Sequence, residues 1–157
     1  MPDLFAWFLL ATFLNMASPD SAVHYDTSAA SGSETKPVIV VHRGPALKSA
    51  LRAFESKDYA RAEESAYMVW KAYPHDTAGM IMLGAARIRQ GKPERAIEVF
   101  QSYIDQHPLE AQGHFYLGLT YHLMNDRARA SASYRTALLL NPDHIPARAN
   151  LRQLDGQ

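Results

Sequence analysis

Three prolines, Pro74, Pro108 and Pro142, stand 34 residues apart. The same step joins Ala62, Ala96 and Ala130, then Ala50, Gly84 and Gly118, then Trp70, Ile104 and Leu138, and each set keeps one kind of side chain. A period of this length means a solenoid, in which each unit leaves an apolar face that only its neighbour buries. The repeated part begins near residue 43, which gives units of about 43–76, 77–110 and 111–144. The last segment, IPARANLRQL at 145–154, reads as one further helix that shields the open end, with Arg148 and Arg152 on its wet side.

Each unit has the pattern of two amphipathic helices and a tight turn. In the second unit the first helix is expected from about Ala78 to Gln90, and Gly91 breaks it. Pro93 then falls in a first turn, where a missing N–H costs nothing, and the second helix runs to about Gln106. Asp58 and Asp126 are placed to cap the second helices of units one and three, and the prolines between units end those helices. The fold class that follows is all-α, an α-solenoid of antiparallel helix pairs.

These residues resemble the tetratricopeptide repeat, which has a large residue, Leu-Gly and an aromatic in its first helix, then Ala, an aromatic and Ala in its second, with Pro at the end. The third unit carries Leu117, Gly118, Tyr121, Ala130, Tyr134, Ala137 and Pro142. The second carries Leu83, Gly84, Ala96, Phe100 and Pro108, and departs at Arg87 and Tyr103. The first keeps Asp58, Tyr59, Ala62 and Pro74 but has Ser49 and Ala66 in two marker slots. Small residues at 84, 118, 62, 96 and 130 let the paired helices approach, and Phe100 and Tyr134 fill the space between units, so a bulky residue at Gly118 is expected to overpack.

The resemblance implies that the first helix of every unit lines a binding groove. A stripe at i, i+4, i+7 lies there: Leu47, Leu51, Phe54; Ile81, Ala85, Ile88; Phe115, Leu119, His122. Eight of the nine are apolar, and an exposed row of that kind marks a binding site. Arg89 and Glu55 sit at its edge. The Lys, Arg and Asn clamp with which some family members hold a terminal carboxylate is missing, so the expected partner is a protein or peptide with an apolar or amphipathic segment. The alternative is a self-associating module, a homodimer formed through that groove or through the end of the stack. His114 takes the large-residue slot of Met80 and is expected to pack inside, whereas His122 is the one polar group of the stripe.

Chemistry has little support in the sequence. There are no cysteines, no Gly-rich phosphate loop occurs, and His75, His107 and His144 all neighbour the interunit prolines, where turn and cap roles account for them. Asp143 and His144 resemble half of a relay without a nucleophile. Trp70 shares its slot with two aliphatics and reads as core, not as a stacking surface. The expectation is a non-catalytic protein without cofactor, metal or small-molecule substrate. With 16 basic and 16 acidic residues, the latter dispersed among the former, no nucleic-acid surface is expected.

Upstream, LFAWFLLATFL at 4–14 is too short to span a bilayer but matches the apolar core of a secretory signal, so residues 1–17 are expected to be a signal peptide or short anchor, with export to the periplasm. Residues 18–42 are expected to be a flexible linker, in which PVIVV at 37–41 forms a short strand or an extended segment lying on the domain or in its groove.

Overall fold

The computed structural model describes residues 22–25 and 39–156. Among them are two strands, β1 (Ala22–Tyr25) and β2 (Ile39–His42), and seven helices. These are α1 (Arg43–Glu55), α2 (Tyr59–Ala72), α3 (Thr77–Arg89), α4 (Pro93–Gln106), α5 (Ala111–Leu123), α6 (Arg127–Leu140) and α7 (Ile145–Asp155). The first helices of the pairs, and α7 after them, start 34 residues apart at Arg43, Thr77, Ala111 and Ile145. The chain divides into two compact units, with the boundary between Ala86 and Arg87.

The turns repeat with the same period. Among the described residues, Lys57, Gly91 and Asn125 have positive φ, at 64°, 73° and 61°. Around each, the next residue's N–H bonds five residues back, Asp58 to Ala53, Lys92 to Arg87 and Asp126 to Tyr121, all at 2.9 Å. The positive-φ residue itself bonds three back, which completes a Schellman motif and satisfies the helix's orphan carbonyls. Only Gly91 takes this conformation without a Cβ penalty. The expected caps are present: Asp58 Oδ1 accepts from Arg61 N at 3.1 Å, and Asp126 Oδ1 from Arg129 N at 3.0 Å. Each second helix ends on a non-helical residue ahead of proline, Tyr73, His107 and Asn141, with φ of −132°, −131° and −138°.

In the first unit, α1 packs on α2 over Ala50, Ala53, Ala62 and Ala66, all buried. Leu47, Val69 and Ala78 form a cluster with Ala46 and Tyr73. A Cβ on Gly79 would lie 2.9 Å from Val69 Cγ1, so α3 passes closer to α2 than any other residue allows. The linker expected across 18–42 is corrected at Ala22–Tyr25, which pairs antiparallel with Ile39–His42, Val23 opposite Val41. Pairing gives each strand the backbone partners a lone extended segment lacks. The strand expected in PVIVV is therefore β2, which starts two residues later and ends one later. It lies against α1 and α2, where Val41 is buried and its carbonyl accepts from the Tyr73 hydroxyl at 3.0 Å. The Arg43 guanidinium bonds Asp76, whose other oxygen takes the Gly79 N–H at 2.7 Å, so one carboxylate ties the start of α1 to the start of α3. The expected signal or anchor at 1–17 lies outside the described residues, and no helix among those described is long and apolar enough to cross a membrane.

In the second unit, α4, α5, α6 and α7 pack in succession. Phe100 stacks on Tyr116 at 5.4 Å and 14°. Tyr103, large where the repeat is usually small, is fully buried because Gly113 faces it: a Cβ there would come within 2.7 Å of its ring. Gly118 faces Tyr134 in the same way at 2.8 Å, in agreement with the expected overpacking. Tyr134 continues to α7, where Asn150 Nδ2 donates to its hydroxyl at 3.4 Å.

Candidate functional site

Helix α5, AQGHFYLGLTYHL, has two uses. At 100° per residue, Gln112, Phe115, Leu119, His122 and Leu123 share one face. Phe115 belongs to the core, with its ring 5.3 Å from Tyr116, 6.1 Å from Tyr134 and 4.9 Å from His144. Around it Gln112, Leu119 and His122 are half-buried, and Leu123 is 59% exposed.

The exposed apolar row expected from the sequence is corrected at five of its positions. Leu47 lies in the α1–α2–α3 cluster, and Phe54 is buried edge-on against Tyr59 at 5.3 Å. Ile81 and Ala85 lie in the run Ala78–Ala86, where every residue is buried. Two and a half turns buried without a gap leave no face of that stretch open to water. Phe115 is the fifth. Leu51, Ile88, Arg89, Leu119 and His122 keep partial exposure, as does His114, which was expected inside. Glu55 at the rim is exposed.

The electrostatics of this face are mild. His122 Nδ1 stands 3.5 Å from the Tyr134 hydroxyl, with the two rings edge to face. Burial, and then the Arg127 charge, hold the His122 imidazole below its ordinary 6.5. Burial alone does the same to His114, and it pushes the Tyr134 phenol above the usual tyrosine range, so that group stays neutral and able to donate. Beside the face, Arg129 lies 4.5 Å over the Tyr121 ring. Arg87, in the corresponding slot, donates instead to the Arg95 carbonyl at 3.0 Å.

Sequence reasoning missed Gln112, Leu123 and the part His144 plays on this face. Leu123 shares its slot with Glu55 and Arg89, so the period itself pointed to a rim charge there and hid an exposed leucine. The turn and cap roles expected of two histidines are present. His107 closes α4, its N–H bonding Tyr103 O at 2.8 Å, and His144 caps α7. Asp143 is fully exposed and faces Arg148 at 3.9 Å, not His144, which removes the half-relay. Trp70 is half-buried, with its indole nitrogen out of water. No group of three or more His, Asp or Glu side chains among the described residues is placed to hold a metal.

Residues 53–114 and 111–144 each match a family model described as tetratricopeptide repeat. Over 85 residues the chain is 34% identical to the probable biofilm formation methyltransferase WspC of Pseudomonas putida (strain KT2440). That stretch is 54% of this chain and 20% of the relative, so the chain spans about a fifth of its length. Among solved structures it is similar to the first TPR of Spaghetti (RPAP3) bound to the HSP90 peptide SRMEEVD, with TM-score 0.64 and 16% identity over 71% of this chain and 89% of that one. It is similar also to the Yersinia enterocolitica type III secretion chaperone SycD in complex with a peptide of the translocator YopD, with TM-score 0.63 and 16% identity over 71% and 90%. Two adjoining family matches from residue 53 to residue 144, on helix pairs that recur every 34 residues, make this chain a member of the tetratricopeptide repeat family.

Proposed function

We propose that this protein is a non-catalytic adaptor that binds a protein or peptide carrying an apolar or amphipathic segment, through the α5 face of its second unit. The carrying observation is Leu123, 59% exposed beside half-buried Leu119 and His122 on a helix whose Phe115, Tyr116 and Leu117 serve the core. Solved repeats of the same fold, titled as complexes with an HSP90 peptide and a translocator peptide, support a peptide as the class of partner. The methyltransferase relative lends nothing to an enzymatic reading, because only 20% of it aligns.

Leu119→Glu with Leu123→Glu tests the face. Both positions reach water, so helical content is expected to hold while cross-linking of the native partner in cells drops at least tenfold. Undiminished capture would move the binding surface elsewhere. The reading includes export and service to an envelope assembly or maturation complex, supported by the apolar run at 4–14, and cell fractionation checks it. Self-association is the second reading, favoured by Leu139 and Ile145, 82% and 74% exposed on α6 and α7. A concentration-independent monomer in sedimentation would end it.

A further inference from the structure

Among the described residues, four side chains begin helices by accepting a backbone N–H: Asp58, Asp76, Asp126 and His144. Three are carboxylates. The fourth is an imidazole, with Nδ1 accepting from Ala147 N at 3.2 Å. That bond requires Nδ1 to be bare, so the proton sits on Nε2, which is 3.2 Å from Gln112 Oε1 and donates to it. The ring is 8% exposed and packs 4.9 Å from Phe115. A second proton would turn the acceptor into a donor facing a donor. It would also put a positive charge at the N-terminus of α7, where the helix dipole disfavours it.

We propose that His144 is a protonation-sensitive latch: neutral, it holds the start of α7 against α5; protonated, it releases the first turn of α7 and frees the end of α6. Among the described residues, the partners of the ring carry no compensating anion. From α5 the ring meets neutral Gln112 and Phe115, and Tyr134 of α6 touches Phe115. On its own turn Asp143 is turned to solvent and to Arg148, whose guanidinium bonds the Pro142 carbonyl. The far end of α7 is held separately, by Arg127 donating to the Leu154 carbonyl and by Asn150 on Tyr134. Release therefore begins at Ile145. Burial lowers the His144 imidazole below its ordinary 6.5 and outweighs a contact with the residue's own backbone, which acts the other way. A depressed value means stability is present above 6.5 and is lost as pH falls through the folded-state value.

Hydrogen exchange of the full chain, corrected for the intrinsic pH dependence of amide exchange, tests this. Protection of the amides of 147–150 is expected to fall about fivefold between pH 7.5 and 5, the loss of one cap. His144→Asn keeps a capping oxygen that does not titrate and is expected to make that protection flat. His122→Gln, which removes the other imidazole near Tyr134, is expected to leave the fall unchanged. Flat protection in the wild type, a fall that persists in His144→Asn, or its loss in His122→Gln would each overturn the proposal. So would a wild-type imidazole whose nitrogen shifts place the proton of the neutral ring on Nδ1, a reading that needs no variant.

Discussion

Lys57, Gly91 and Asn125 hold one backbone conformation with three different side chains, and only glycine holds it without strain. Lys57→Gly removes a Cβ penalty and is expected to stabilise by about 0.5 kcal/mol. Gly91→Ala, with nothing within 4 Å of the new Cβ, is expected to cost about 1 kcal/mol from conformation alone. Urea unfolding of the pair isolates backbone strain from packing. His122 adds a functional prediction at this scale. With its imidazole held below 6.5 by burial and Arg127, affinity for the partner is expected to be constant above that pH and to weaken as pH falls below the lowered value. His122→Phe is expected to abolish the dependence, and affinity flat to pH 5 in the wild type would remove His122 from the interface.

At the scale of the element, the helix pairs were legible because turn, cap and proline all recur at one step. Asp58, Asp126, Gly118 and the pre-proline stops follow from local chemistry and are where sequence reasoning placed them. The groove was less legible. A stripe at i, i+4, i+7 says which residues share a face, and says nothing of whether another part of the chain covers it, as happens at Ile81 and Ala85. Strand β1 escaped notice because four residues in a Ser- and Ala-rich stretch carry no periodic signal. The Arg43–Asp76 contact escaped because the partners are 33 residues apart and each looks like a surface charge. It is not one: the Asp76 side chain is 6% exposed. Asp76→Ala removes a cap and strands a mostly buried guanidinium, so the first unit is expected to lose about 3 kcal/mol, read as a lower urea midpoint.

At the scale of the molecule, 16 basic and 16 acidic residues leave no long-range field to steer a charged partner. If binding is through the apolar face of α5, the association rate is expected to change less than about twofold between 50 and 500 mM salt, where an electrostatically steered encounter slows steeply. Stopped-flow mixing measures it, and a steep decline would point to a charged surface instead. Both units rest on helix pairs that satisfy their own turns and caps, so stability is distributed along the chain and a defect in one pair is expected to be felt first by its neighbours.

Where the second helix of one repeat meets the first helix of the next, side chains come in matched sizes. Val69 faces Gly79 and Tyr103 faces Gly113, while the same two slots one period later hold Ala137 and Ala147, both wholly buried. Bulk is a property of the joint and not of either repeat. Copying the second repeat wholesale onto the third would set a tyrosine against an alanine already in place. A designer who extends this chain, or a genome that duplicates part of it, keeps a working seam only by cutting inside a repeat and carrying both halves of the joint together.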